Sequence, residues 1–301
     1  VEKTFMNLSQ SLQLIFIAAI WGASHVFVRV IAPAVGPAFT AFARIGIGAI
    51  TLQVALLFMR ERFLQKNYLK HFWVVGLTNY AIPLTLFAYA SIRLPATYLV
   101  ILNATAPIFS AILSSLFLSD PFGWKKIVSL CMGMSGVYLL TEYGSIQTFD
   151  FATLAALVFC ALAAASYAVC GVYIKKRASH VPSMALTTGS TWAAFLLVSP
   201  LELAQSSLPS LSSFTLPVTL SLFTLGMLGT ALAFLILYRL LKTISAFRAS
   251  LVSFLMPVFG MLWGKLFLSE EITPGMYLGA FLVISSTALF MKRSVPRVST
   301  P

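Results

Sequence analysis

Few side chains in this 301-residue chain are placed to do chemistry, and those few are polar or ionisable groups set inside long apolar runs. His25 lies midway along the first run, with Trp21 and Arg29 one turn to either side, so a helix there puts all three on one face. An imidazole at that depth has to face a bundle interior or a wet cavity. There it can bind a polar ligand, carry a proton, or serve as a hydrogen-bonded link to a neighbouring helix. Asn79, Asn103 and Ser253 form a second set. Each precedes a proline (Pro83, Pro107, Pro257) by four residues, and a proline inside a helix leaves the carbonyl four residues earlier without its N–H donor. Hydrocarbon has nothing to bond such a carbonyl, so each helix-kink proline marks a candidate cavity wall. The other reading is a plain kink satisfied by neighbouring helices. Arg44 lies near the outer third of the second run, where it can snorkel or anchor the outer end of the first. Arg248 and Lys265 lie near opposite ends of the ninth, where long cationic side chains snorkel to the interface.

Other chemistries lack their residues. Asp120, Glu142, Asp150, Glu202, Glu270 and Glu271 all stand at the ends of apolar runs, which removes a paired-carboxylate proton relay. His25, His71 and His180 are far apart in sequence, and nothing has metal-ligand spacing. Cys131, Cys160 and Cys170 are odd in number and fall inside apolar runs, as small buried residues do. Gly260 to Lys265 resembles a phosphate loop superficially, but only three residues separate its glycines and no Ser or Thr follows the lysine. No metal, no cofactor and no catalytic set is therefore expected.

The elements that must position these groups are membrane spans. Apolar residues make up 59% of the chain and charged residues only 9%, against about 25% charged in soluble domains. The net charge of +12 sits in short clusters between apolar runs, the form of a topology signal and not of a nucleic-acid surface. Ten runs have spanning length, near 10–31, 37–59, 70–91, 96–118, 124–141, 152–174, 183–203, 217–238, 246–268 and 274–291. The fold class expected is an all-α integral membrane protein with the bilayer as a partner. The segment 1–11 has no cleavable pattern, so the first run is expected to stay as a helix. Lys and Arg cluster after the second, fourth, sixth, eighth and tenth runs and acidic residues fill the alternate loops, Arg93 excepted, which places both termini in the cytoplasm.

The chain also repeats itself. Pro107 to Asp120 (PIFSAILSSLFLSD) and Pro257 to Glu270 (PVFGMLWGKLFLSE) match at an offset of 150 positions, and the same offset pairs Ala96 with Ala246, Ala81 with Ala231 and Gly76 with Gly226. Five runs per copy is odd, so the second copy must enter the membrane inverted. The flanking charges agree, because Lys125 and Lys126 come after Ser119 of the first motif while Glu270 and Glu271 come after Ser269 of the second. Inverted repeats of this kind enclose a substrate site near the bilayer midplane. The units expected are 10–141 and 152–291. Gly260 with Gly264, Ser110 with Ser114, and Gly275 with Gly279 have the small-x-x-x-small spacing of helix packing faces, within one chain or between two.

Trp21-Gly-Ala-Ser24, Phe42-Ala-Arg44 and the paired Pro-to-Leu-Phe-Leu-Ser-Asp/Glu motifs resemble those of the drug/metabolite transporter superfamily, specifically its ten-helix exporters with two EamA repeats. The likeness runs over roughly residues 10–291. Two places depart from the pattern: His25 stands where an aromatic or aliphatic residue is usual, and Asp120-Pro121 replaces the usual Glu. The resemblance implies two inverted five-helix repeats around a central cavity drawn from spans one, three, four, six, eight and nine. It implies a secondary transporter in the plasma membrane that exports small metabolites such as amino acids or their toxic analogues. Trp21, His25, Asn79, Tyr80, Tyr98, Asn103, Tyr167 and Ser253 are the expected lining, the aromatic residues as stacking surfaces and the Asn and Ser residues as directional hydrogen-bonding groups. A monomer is the expected form. An integral-membrane enzyme acting on a lipid-linked substrate and a passive channel remain as alternatives.

Overall fold

The computed structural model describes the backbone of residues 6–59, 65–94, 99, 102–140, 150–204, 209–268 and 273–291, with the side chains at 25, 26, 29, 59, 140, 264, 267, 268, 290 and 291 outside the description. All regular structure among these residues is helical. In chain order the helices are α1 (Leu8–Val35), α2 (Pro37–Met59), α3 (Lys66–Ala90), α4 (Ala106–Phe117), α5 (Trp124–Leu140), α6 (Phe151–Ala178), α7 (Ser183–Leu203), α8 (Leu216–Leu241), α9 (246–268) and α10 (Pro274–Met291). Among the described residues, α2, α3, α6, α7, α8 and most of α9 hold stretches long and apolar enough to cross a membrane, and α1, α4 and α10 hold shorter ones. Large apolar side chains such as Phe58, Phe151 and Leu203 point outward, as a chain solvated by lipid requires. This is a multi-pass membrane protein.

Several helices depart from regular α geometry. In α3 the residues Leu77–Ala81 and in α8 the residues Leu225–Leu232 take π geometry, and an offset of 150 superposes the first stretch on the second. α6 ends in a third π turn, Ile174–Ala178. α9 is two pieces, Ala246–Ser250 and Val252–Leu268, joined at Leu251. The expected fourth run is likewise broken, by turn residues at Ala104 and Thr105 ahead of α4.

This geometry corrects two of the proline expectations. In the π register Ile82 N–H bonds to Leu77 O, so the carbonyl left over by Pro83 is that of Thr78 and not of Asn79. Ser166 of α6 donates to it at 2.7 Å. Pro107 does not kink a helix interior: it sits in the first turn of α4, where no amide hydrogen is needed. Pro257 stands inside its helix as expected, with the Ser253 carbonyl one turn back.

Close approaches hold the bundle together. α1 packs on α9, where a Cβ at Gly22 would meet Met256 O at 2.8 Å, and Trp263 Nε1 donates to Ala19 O at 2.9 Å. α3 packs on α7 through Gly76, 2.7 Å by the same measure from Ser190 O. α5 packs on α10 through Gly136 against Gly279 O and through hydroxyls of Ser129 and Ser286 that each donate to the other's carbonyl. Of the small residues marked in the sequence, Gly260 against Gly22 and Gly279 against Gly136 have partner helices within the chain.

Candidate functional site

Helices α1, α2, α3, α4, α6, α8 and α9 enclose a cavity of about 130 Å³. That volume is room for a small organic molecule and not merely a bound water. Trp21, Asn79, Asn103, Tyr167 and Ser253 line it, five of the eight residues expected. Tyr80 does not. Its ring is fully buried one layer behind the wall, 4.6 Å from Phe234 and 6.4 Å from Tyr238, because the residue after Asn79 points about 100° round the helix from it. Tyr98 and the side chain of His25 lie outside the described residues.

The polar groups of the wall divide into those already engaged and those still open. Trp21 Nε1 donates to Gly229 O at 2.8 Å, so its polar edge is spent on the π segment of α8 while its ring packs 4.9 Å from Phe234. Asn79 Nδ2 donates to Tyr238 Oη at 2.9 Å. Ser24 and Ser250 each donate to a carbonyl of their own helix and Thr40 to Gly36 O just ahead of α2, leaving only acceptor capacity. Among the described residues Asn103 has one hydrogen bond, from Nδ2 to the soft acceptor Met256 Sδ at 3.4 Å, and its Oδ1 has no partner. Tyr167 stacks on Phe87 with an interplanar angle of 22°. The wall is therefore an aromatic and aliphatic shell with a few amide and hydroxyl groups.

Arg44 belongs to this wall, which the reading as a snorkelling residue missed. Its Nε donates to Thr230 Oγ1 at 2.9 Å, and Thr230 donates in turn to Leu225 O, a bond five residues back that only π geometry offers. The approach of α2 to α8 is what brings the two together: a Cβ at Gly226 would fall 2.6 Å from Ile47, and one at Gly48 would fall 2.8 Å from Thr230. An arginine inside an apolar run was the signal available in the sequence.

Away from the cavity, the fold gathers two histidines that are distant in sequence. The rings of His71 and His180 are 5.3 Å apart and His71 Nδ1 is 2.8 Å from Tyr173 Oη. Among the described residues, no group of three or more His, Cys, Asp or Glu could hold a metal ion.

The sequence model of the EamA-like transporter family matches residues 9–142 and again 154–292. The chain belongs to the EamA-like transporter family. Relatives in this family include the uncharacterized transporter YoaV of Bacillus subtilis, 25% identical over 94% of this chain and 98% of that protein. A probable amino-acid metabolite efflux pump of Escherichia coli is 24% identical over 93% of this chain and 94% of the other. A probable terminal-alkyne amino-acid exporter of Streptantibioticus cattleyicolor is 23% identical over 98% and 99%. A protein of known crystal structure shares the fold with a TM-score of 0.77 at 16% identity, over 94% of this chain and 96% of that one. Within the EamA frame Asn103 comes from the first matched segment and Ser253 from the second, and both reach one cavity.

Proposed function

We propose that this protein is a secondary transporter that exports small organic metabolites, amino acids or related compounds, across the plasma membrane. The observation that carries the reading is the pairing of Asn103 with Ser253. They occupy the same register of the two sequence copies, and both line one cavity that seven helices of a single chain enclose. Two five-helix repeats, 10–141 and 152–291, inserted with opposite orientation account for this and for the opposite flanking charges of the repeated motif. Both termini then lie in the cytoplasm. A monomer suffices, since one chain supplies the wall.

In this reading Trp21 and Tyr167 provide stacking faces, Asn103 and Ser253 bind the polar end of the cargo, and Asn79 is held in place by Tyr238. His25 and Tyr98 join them as sequence-based members of the site. The helix breaks at Ala104–Thr105 and at Leu251 are the joints about which one repeat rocks against the other. The relatives named as amino-acid exporter and metabolite efflux pump favour outward movement of such compounds.

Flux into sealed proteoliposomes, with and without an imposed pH gradient and across an amino-acid and nucleoside panel, tests the proposal. Saturable, gradient-responsive flux of a subset is expected. Non-saturable equilibration indifferent to any gradient would make it a channel, and chemical conversion without flux would make it an enzyme.

A further inference from the structure

We propose that Arg44 is the anion anchor of the cavity, and that the cargo is a small organic carboxylate with one net negative charge on an apolar body. The inference rests on the transporter reading and narrows it. Arg44 is the only charged side chain among the described lining residues. A guanidinium held away from bulk water needs an opposite charge or full hydrogen bonding. It has neither. Its one hydrogen bond to a described residue is from Nε to Thr230 Oγ1, and the Nη hydrogens have no acceptor among those residues.

Among the described residues no carboxylate is placed to supply the charge. Of the described acids, Asp120 pairs with Lys126, Asp150 caps the start of α6, and Glu202 lies near the end of α7; none lines the cavity. The remaining five, Glu2, Glu61, Glu142, Glu270 and Glu271, fall outside the apolar runs by sequence. The counter-charge has to arrive with the cargo. Because Thr230 occupies Nε, the edge of the fork that stays open is the pair of Nη groups, which matches the two oxygens of a carboxylate. Trp21, Phe234 and the Phe87–Tyr167 stack then face the rest of the molecule. An ammonium group would meet only neutral acceptors such as Asn103 Oδ1. Deaminated or N-acylated amino-acid derivatives therefore fit better than the zwitterions themselves.

The test uses the purified full chain in nanodiscs and calorimetric binding of five probes that share a phenyl body. These are 3-phenylpropionate, its neutral amide, phenylalanine, phenethylamine and phenyl phosphate. Wild-type protein is expected to bind 3-phenylpropionate at least about tenfold more tightly than the amide, the zwitterion or the amine, the ordinary worth of a charge-assisted pair. Arg44→Gln should bring the acid down to the level of the amide and leave the amide unchanged, with Arg44→Lys in between. Equal wild-type affinity for acid and amide, equal loss of both in Arg44→Gln, tighter binding of phenylalanine or phenethylamine, or no binding of any probe would each overturn the assignment. Tighter binding of phenyl phosphate would replace the carboxylate with a phosphate site and overturn it as stated. Should Arg44→Gln fail to fold, the wild-type probe series and Arg44→Lys decide alone. Flux assays with the same probes keep the two readings apart: selective acid binding without flux of any probe defeats the transporter and leaves the anchor, whereas flux of amine or zwitterion alone defeats the anchor and leaves the transporter.

Discussion

Trp21 has two faces with separate duties. The ring lines the cavity, while Nε1 ties α1 to Gly229 O in the π segment of α8 at 2.8 Å. Trp21→Phe keeps an aromatic surface but leaves that carbonyl without its donor, and an orphaned buried acceptor costs about 1–3 kcal/mol. Thermal unfolding in detergent should register that loss, and a variant as stable as wild type would mean the carbonyl finds another donor. Arg44 and Thr230 illustrate the same economy. Thr230 accepts from Arg44 and donates to Leu225 O, so one hydroxyl both closes a π turn and aims a guanidinium.

Helix irregularities are where this bundle departs from a stack of apolar rods, and the prolines of the two repeats do not do equal work. Pro257 lies inside its helix, one turn beyond Ser253, whereas Pro107 starts a helix that is already broken at Ala104–Thr105. Pro257→Ala should restore an intrahelical bond, raising stability by up to about 3 kcal/mol while lowering flux. Pro107→Ala should change stability by less than about 0.5 kcal/mol, because position N1 or N2 asks for no donor. Equal effects of the two substitutions on melting and flux would remove the distinction. Helix spacing is the other constraint at this scale. Gly76→Ala drives a methyl group to within 2.7 Å of Ser190 O, backbone that cannot yield, whereas Gly171→Ala finds Ala246 at an ordinary 3.6 Å. Melting curves should show the first losing about 1–3 kcal/mol and the second almost nothing.

For the whole molecule, the central expectation is that the second repeat runs upside down relative to the first. A single cysteine at Lys125 should react with an impermeant maleimide only from the cytoplasmic side, and one at Gly275 only from outside. Labelling of both from one face would end the inverted-repeat reading. The π turns at Leu77–Ala81 and Leu225–Leu232 give the duplication a second, independent mark. They sit at equal register although only the first is followed by a proline. A neighbouring helix comes close at or beside each, at Gly76 against Ser190 and at Gly226 against Ile47.

The membrane class, the family and five of the cavity residues were legible in the chain itself, because apolar run length, repeat register and a polar side chain inside an apolar run are local quantities. Trp21, Asn79, Asn103, Tyr167 and Ser253 were found that way or by family likeness, and all five line the cavity. Tyr80 and Arg44 were misplaced because facing is not a local quantity. Tyr80 stands about 100° round the helix from Asn79, its neighbour in the chain, and packs against Phe234 and Tyr238 behind the wall. The close approach of α2 to α8 brings Thr230 to Arg44. His71 and His180, with 108 positions between them in the chain, meet only because α3 and α6–α7 pack together. Composition decides that these residues lie among membrane helices; which of them face one another is decided by helix register and close approach, quantities that exist only once the helices are packed.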